Sequence, residues 1–184
     1  MDKADHLLTD PDDAAFAGRI ISEWLSRYLA ADTPQATGPI EHVHVRETGE
    51  GTFQNAVQAG GHRMFADEPE SVGGLDSGPS PYDFLAIALG ACTSMTLRLY
   101  AGHKQLKLGR IRVDVSHAKI HAKDCEECTE TERGGSGRID RFERVISIED
   151  EVSEELREKV VEIAGKCPVH RTLEAVAKIK TVVK

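Results

Sequence analysis

The chain has 184 residues, 40% of them hydrophobic, and its 23 Lys and Arg against 31 Asp and Glu give a net charge of −8. This length suffices for one ordinary domain whose core needs no disulfide support. The acidic balance argues against nucleic acid as a partner. We expect no membrane span and no secretory leader, because no apolar run approaches the about 20 residues of a span and no basic-then-apolar stretch opens the chain. A cytoplasmic location follows.

The first predicted element is an amphipathic helix of about five turns. Asp10 is the expected N-cap and Pro11 the first helical residue, with acidic residues in the first turn. Apolar side chains then recur at helical spacing, at Phe16, Ile20, Trp24, Tyr28 and Leu29. The breaker-rich segment 32–39 reads as a linker. We therefore divide the chain into an N-terminal helical segment, residues 1–35, and a main domain, residues 40–184.

The main domain is predicted to open with short strands. Residues 42–46 alternate in polarity, and residues 53–66 read as two strands that meet at Gly60 and Gly61. The Gly- and Pro-rich residues 73–81 then form a surface loop of the kind that lies near a site.

A long helix is predicted from Pro81, capped by Ser80, to about Ala101. Its three- and four-residue spacings place Cys92 on the most apolar stripe, so we expect that thiol to face the core. The stripe consists of Phe84, Leu85, Ala88, Leu89, Cys92, Met95, Thr96 and Leu99.

The second half of the domain contains alternating and helical patterns. Residues 111–121 and 139–148 alternate and are expected to pair as a long hairpin after the turn at Gly134 to Gly137. An acidic helix is predicted from Ser153 to about Lys166, burying Leu156, Val160 and Ile163, and residues 173–183 are expected to form a helical turn and a strand. This order defines an α+β fold with two helices packed against antiparallel sheets.

Two cysteines suggest a thiol redox pair. Cys92 lies in the apolar helix, and Cys167 lies in Ala164-Gly-Lys-Cys-Pro-Val-His. A thiolate attacks a peroxide bond and a second thiol captures the sulfenic acid, so two cysteines are the minimum set. If Pro168 begins a helical turn, free backbone N–H groups favour a Cys167 thiolate, and Lys166, His170 and Arg171 add positive charge. The alternative is that both cysteines are inert packing residues.

A Gly-Gly loop, a Pro-Ser-Pro helix start, a cysteine in mid-helix and a later Cys-Pro after an acidic helix together resemble the OsmC/Ohr family, over roughly Val43 to Val183. The resemblance implies an intertwined homodimer with buried central helices and cysteine sites at the subunit boundary. It also implies that Cys92 attacks a hydroperoxide, that Cys167 resolves the sulfenic acid, and that an external dithiol reduces the disulfide, with no cofactor.

One position departs from the family pattern. Its peroxidases pair an arginine with a glutamate in the turn that begins the cysteine helix, where the arginine stabilises the thiolate. Here that turn reads Pro79-Ser-Pro-Tyr, so Tyr82 stands in place of the glutamate. Arg46 is the best candidate for the arginine, with Arg63 second, and Glu68 or Asp83 for the carboxylate.

The segment 121–128 contains a Cys-x-x-Cys with a nearby histidine. Zinc would accept His121, Cys125 and Cys128 with a fourth ligand unidentified. The alternatives are an acidic hairpin tip with two exposed thiols, which the missing second ligand pair favours, and a redox dithiol.

Residues 4–8, Ala4-Asp-His-Leu-Leu, resemble the catalytic-histidine turn and closing helix of an α/β-hydrolase. His6 has no Gly-x-Ser-x-Gly nucleophile to serve, so residues 1–31 resemble the tail of a hydrolase domain that elsewhere precedes an OsmC-like domain. An ordinary packing or dimerisation helix is the alternative. For the whole chain the leading hypothesis is a thiol-dependent peroxidase, and the second is an accessory domain that binds a small ligand or metal beside an α/β-hydrolase.

Overall fold

A computed structural model describes residues 9–25, 42–126, 128–133, 137–175 and 177–183, without the side chains of residues 131 and 132. The chain divides after His42 into two compact units. Several expected features lie outside the described residues: the His6 turn, the helix positions Tyr28 and Leu29, the linker at 32–39, and most of the turn that begins at Gly134.

In the first unit, α1 runs from Pro11 to Leu25. Its predicted start is confirmed, because the Asp10 carboxylate accepts hydrogen bonds from the amides of Asp12 and Asp13 at 2.8 and 3.4 Å. None of its residues is buried, and the apolar side chains Phe16, Ile20, Ile21 and Trp24 are exposed.

The second unit begins with a three-stranded antiparallel sheet in the order β1-β2-β3. The strands are β1 (His44–Glu47), β2 (Asn55–Ala59) and β3 (His62–Ala66). Ala59 pairs with His62 across the predicted turn, which Gly60 permits with a φ of 58°. This confirms the predicted opening of the domain by short strands.

The loop after β3 is organised by a buried carboxylate that the sequence pattern did not reveal. Asp67 is 2% exposed. Its two oxygens accept hydrogen bonds from the amides of Glu68, Leu75 and Ser77 at 2.9, 3.1 and 3.3 Å and from the Ser77 hydroxyl at 2.7 Å. These bonds fix the Gly- and Pro-rich loop that leads into the cysteine helix.

The cysteine helix, α2, runs from Pro81 to Lys104. Its predicted start is confirmed as a capping box, in which Ser80 and Asp83 bond each other's backbone amides. The predicted buried stripe is partly wrong: Leu85, Met95 and Leu99 are exposed, and Cys92 is half-buried at the edge of the buried face. A helix that is apolar nearly all round gives no periodic signal that selects one face. The buried residues are Leu89, Gly90, Thr93, Leu97 and Ala101.

The predicted hairpin is confirmed by β4 (Ile111–His121) and β5 (Arg138–Ile148). They pair antiparallel from Ile111 opposite Ile148 to His121 opposite Arg138. The connection at their far end contains a 3-10 turn at Ala122–Asp124 and the short α3 at Glu130–Arg133.

The acidic helix, α4 (Glu154–Ala164), begins at its expected cap, since Ser153 accepts a hydrogen bond from the Leu156 amide. Its Val160 and Ile163 are buried with Leu97 of α2, whereas Leu156 is only half-buried. The residues packed against this core are Tyr100, Ile111, Ile146 and Ile148. The core therefore joins both long helices to the hairpin.

The last helix, α5, runs from Pro168 to Glu174. The strand expected near the C-terminus is absent from the described residues 177–183, where Ile179, Val182 and Val183 are exposed. A strand requires a neighbour for its backbone groups, and no described strand of this chain pairs with these residues.

Among the described helices, α2 has the length and composition of a membrane span, with a mean hydropathy of 1.4 over its best window. The sequence-based expectation was that no apolar run approaches the length of a membrane span, but α2 does reach that length. Core helices of soluble proteins meet the same criterion, so this is weak evidence for a membrane.

Candidate active site

The structure brings the two free cysteines together. Cys92 lies in the middle of α2 and is half-buried, whereas Cys167 directly precedes α5 and is 0% exposed. The Cys92 side chain is close enough to Cys167 to lower the pKa of the Cys167 thiol. The expectation that these distant positions meet in the fold is therefore confirmed, and the half-buried thiol is the more accessible of the pair.

The surroundings of Cys167 favour its thiolate. Burial raises the pKa of the Cys167 thiol, because it disfavours the charged form, but hydrogen bonds lower that pKa by more, to below its ordinary value of 9.0. These bonds come from the Cys92 thiol, the amides of His170 and Val169, and the Thr93 hydroxyl.

The chain path between α4 and α5 explains this position. The Cys167 amide donates to the Ala164 carbonyl at 3.2 Å as α4 ends, and the Cys167 carbonyl accepts from the Arg171 amide at 3.1 Å as α5 begins. Pro168 occupies the start of α5, where its missing N–H costs nothing. Pro168 thus occupies the first position of α5 directly after Cys167, as expected.

Two of the three cationic side chains expected around Cys167 are paired with carboxylates. Lys166 contacts Glu162 at 2.5 Å, and the His170 imidazole contacts Glu174 at 3.1 Å. Their charges are thus directed largely at acidic residues of α4 and α5.

Sequence reasoning missed a second pair of residues at the site, Thr93 and Arg144. Thr93 is 0% exposed and donates its hydroxyl to the Leu89 carbonyl at 2.7 Å. Arg144 of β5 donates to the Thr93 hydroxyl at 2.8 Å and to the Ala164 carbonyl at 3.2 Å. A signal for Arg144 was present, because it is a charged residue at a strand position where alternation with Phe142 and Ile146 predicts an apolar one.

A polar and aromatic cluster joins the start of α2 to the hairpin. The Tyr82 ring stacks on the His117 ring with 4.0 Å between their centroids. The Phe142 ring also contacts His117, with 4.8 Å between the centroids. The His117 Nε2 atom lies 2.8 Å from an Asp140 oxygen, and Lys119 lies 3.7 Å from the same oxygen. The bond to His117 is the largest cause that lowers the pKa of Asp140. Tyr82 thus has a role in packing at the position of the family's glutamate.

The expected partners of the cysteines lie elsewhere in this chain. Arg46 is exposed on β1 and donates to the Glu47 carbonyl at 3.4 Å, and Arg63 is exposed on β3. Glu68 is half-buried in the loop after β3, and Asp83 of α2 accepts the Ser80 amide in the capping box. Within the described ranges no hydrogen bond or ion pair joins any of these four residues to Cys92 or Cys167.

Cys125 and Cys128 form a disulfide, with 5.4 Å between their Cα atoms. Cys125 is 5% exposed, so the expectation of two exposed thiols is wrong for that residue, and the dithiol alternative agrees with the bond. His121, the third weak candidate for a metal ligand, is exposed at the end of β4. No group of three metal-binding side chains occurs among the residues that the structure describes.

Residues 74–182 match the family model described as OsmC-like protein. The chain belongs to this family. No curated protein matches the chain in sequence.

Solved structures support the fold. An organic hydroperoxide resistance protein OsmC from Legionella pneumophila is 14% identical, with a TM-score of 0.52 over 74% of this chain and 92% of that chain. An OsmC-like protein from Mycoplasma pneumoniae is 18% identical, with a TM-score of 0.51 over 74% and 90%. The organic hydroperoxide resistance protein OhrB of Bacillus subtilis is 14% identical, with a TM-score of 0.51 over 73% and 90%.

Proposed function

We propose that this protein is a thiol-dependent peroxidase that reduces organic hydroperoxides through Cys92 and Cys167. The Cys92 thiolate attacks the terminal peroxide oxygen, so that an S–O bond forms, the O–O bond breaks and the alkoxide leaves as the alcohol after protonation. The Cys167 thiolate then attacks the sulfur of the sulfenic acid, a disulfide forms and water leaves. An external dithiol reduces the disulfide by thiol exchange, and no cofactor is needed.

The observation that carries this proposal is the contact between a half-buried thiol, Cys92, and a fully buried one, Cys167, whose pKa is lowered. The partly accessible thiol is the one that a hydroperoxide can reach. The buried thiolate is protected from that substrate but adjacent to the sulfur it must attack. Relatives of the same fold are named as organic hydroperoxide resistance proteins.

The proposal assigns the role of thiolate-stabilising arginine to Arg46 and the role of its carboxylate partner to Glu68. Arg46 is exposed on β1 and Glu68 is half-buried in the loop after β3, so both are available to a neighbouring subunit. A site completed across a subunit boundary agrees with the absence of contacts between them and the cysteines of the same described chain.

A homodimer is the proposed assembly. Apolar side chains of α2 outside its buried face are exposed by 40–67%, namely Leu85, Ile87, Met95 and Leu99. Large exposed apolar patches on soluble proteins mark interaction surfaces. Light scattering coupled to size exclusion should give a mass twice the 20.1 kDa of one chain. A monomer at micromolar concentration would contradict this assembly.

The peroxidase hypothesis is tested by hydroperoxide consumption with a dithiol reductant. The wild type should consume an alkyl hydroperoxide catalytically, Cys92→Ser should not, and Cys167→Ser should turn over more slowly than the wild type because no internal disulfide forms. Equally negligible consumption by all three proteins would favour the alternative, an accessory domain that binds a small ligand or metal. No group of three metal-binding side chains among the described residues supplies a metal site for that alternative.

The N-terminal segment, residues 1–35, is proposed to be a hydrolase-domain remnant separable from the cytoplasmic peroxidase domain, residues 40–184. A variant that lacks residues 1–35 should remain soluble, dimeric and active. Recovery only as aggregate would instead show that α1 is integral, since loss of several apolar side chains worth about 1.5–3 kcal/mol each exceeds ordinary domain stability.

A further inference from the structure

We infer that Arg144 is a positioning residue for the thiol pair: it holds the Thr93 hydroxyl and the Ala164 carbonyl around Cys167, so that Cys167 is ready to attack an oxidised Cys92. This role rests on the proposed peroxidase cycle. It concerns the second step, in which the S–S bond forms, the S–O bond of the Cys92 sulfenic acid breaks, and the leaving hydroxide is protonated to water.

The contacts of Arg144 converge on Cys167 from two sides. One guanidinium nitrogen of Arg144 donates to the Thr93 hydroxyl at 2.8 Å, and that hydroxyl is among the groups that lower the pKa of the Cys167 thiol. The same nitrogen donates to the Ala164 carbonyl at 3.2 Å, which also accepts the Cys167 amide at 3.2 Å. Arg144 therefore fixes both the side-chain and the backbone neighbour of this cysteine.

The direction of the hydrogen bonds suits a thiolate. Arg144 donates to a lone pair of the Thr93 oxygen, so the single hydroxyl proton is left to be donated. In this structure the proton is directed at the Leu89 carbonyl at 2.7 Å, and the proposed role of Arg144 requires that it turn to Cys167 when the thiolate forms. A hydroxyl that accepts from a cation is a stronger donor, because bonds in a chain polarise one another.

Arg144 also differs from the other cations near the site. Lys166 and His170 contact carboxylates, whereas Arg144 forms no ion pair with a carboxylate in the described ranges. A partly buried guanidinium that contacts only neutral acceptors retains its capacity to stabilise a nearby anion. The anion that this site can form is the Cys167 thiolate.

The first experiment titrates Cys167 without any peroxide. Thiolate absorbance near 240 nm is followed against pH in a Cys92→Ser background, and the signal of Cys92→Ser/Cys167→Ser is subtracted. We expect Thr93→Val and Arg144→Gln each to raise the apparent pKa of Cys167 by about one unit, since a hydrogen bond to a charged group is lost. Thr93→Ser should restore most of the shift and Arg144→Lys part of it. The matched control is Arg112→Gln, an exposed arginine of the same hairpin that contacts Asp114.

The rescue pattern separates positioning from packing. Thr93→Val keeps the buried volume and loses the hydroxyl, whereas Thr93→Ser keeps the hydroxyl and loses a methyl group. A purely structural role predicts that Thr93→Ser is the more disturbed protein and that the Cys167 titration is unchanged in Thr93→Val. That result, or no shift in Arg144→Lys and Arg144→Gln proteins with native circular dichroism, would overturn the inference.

The second experiment measures resolution in a single turnover. After one equivalent of alkyl hydroperoxide, Thr93→Val and Arg144→Gln should form the disulfide about tenfold more slowly at neutral pH than the wild type and accumulate more Cys92 sulfinic acid, with sulfenic acid formed at the normal rate. A slowed first step with normal resolution would contradict this role. If the wild type does not react with hydroperoxide, the proposed function fails, while the titration still decides whether Arg144 acts on Cys167.

Discussion

Gly90 of α2 lies directly against Val115 of β4. A Cβ atom at Gly90 would come 3.3 Å from Val115 Cγ2 and 3.7 Å from the Val113 carbonyl oxygen. Val115 is paired with Arg144 across the hairpin, and Thr93 follows Gly90 by less than one helical turn. The close approach at Gly90 therefore brings the Thr93 hydroxyl within reach of the arginine on the neighbouring strand.

Substitution at Gly90 tests this close approach. Gly90→Leu should lower the free energy of unfolding by about 1–3 kcal/mol, because the added side chain pushes α2 away from β4. Urea denaturation measures the change. The matched control is Gly102→Leu in the same helix, where an added Cβ would meet no atom within 4 Å. The control should be neutral or slightly stabilising, since leucine favours a helix over glycine, and equal destabilisation at both sites would contradict the proposed contact.

The Asp67 carboxylate gives a prediction on pH. Burial raises the pKa of Asp67, but bonds from Ser77, Glu68 and Leu75 lower it by more, to below the ordinary value of 3.8. A carboxyl group with a lowered folded-state pKa adds stability above its unfolded value, and that stability is lost as the pH falls through the folded value. Asp67→Asn should therefore lower the melting temperature by about 5 °C at pH 7 and by progressively less below pH 3.8.

The matched control for Asp67 is Asp76→Asn, which removes the same charge from an exposed position of the same loop. Asp76 has a φ of 51°, and asparagine adopts this conformation readily. Its melting temperature should stay close to that of the wild type at every pH. A loss of stability in Asp67→Asn that did not depend on pH would show that the carboxylate charge is not what holds the loop.

The stacking of Tyr82 on His117 is expected to stabilise the start of α2. Tyr82→Ala should lower the free energy of unfolding by about 0.5–1.5 kcal/mol relative to Tyr82→Phe, which keeps an aromatic ring on the imidazole. Thermal or chemical unfolding of the two variants measures the difference. Equal stability of the Ala and Phe variants would mean that the ring contact contributes nothing.

The hairpin-tip cysteines should be dispensable for turnover. Cys125→Ser/Cys128→Ser removes a disulfide that closes a very short loop, so we expect a loss of at most about 2 kcal/mol and nearly unchanged hydroperoxide consumption. Reductant should bring the wild type to the same melting temperature as this variant, because it breaks the same bond. Unfolding of the variant, together with zinc found in the reduced wild type by elemental analysis, would instead identify a structural metal site.

Local sequence signals predicted the framework of this fold. The Ser80 cap, the alternation of residues 111–121 and the Ser153 cap each depend on neighbours a few positions away, and all three are confirmed. The proximity of Cys92 and Cys167 was expected only through the family resemblance. Local pattern could not supply it, because it depends on how α5 packs against α2.

The features that the sequence missed depend on packing between distant elements. The apolar surface of α2 extends beyond one stripe, so its core-facing side is decided by Gly90 and Thr93 against the hairpin rather than by periodicity. In the sequence, Arg144 can be recognised only as a charged residue on the apolar face of a predicted strand. Its acceptors, the Thr93 hydroxyl and the Ala164 carbonyl, come from two other helices and could not be inferred from strand alternation.

The most direct test of the central claim is a disulfide map after reaction with one equivalent of an alkyl hydroperoxide. The reduced protein is treated, alkylated without reductant, digested and analysed by mass spectrometry. We expect one linked peptide pair that contains Cys92 and Cys167, with one equivalent of the alcohol released, and no such link in Cys92→Ser. Consumption of the hydroperoxide without this link, or no reaction of Cys92 at all, would contradict the account.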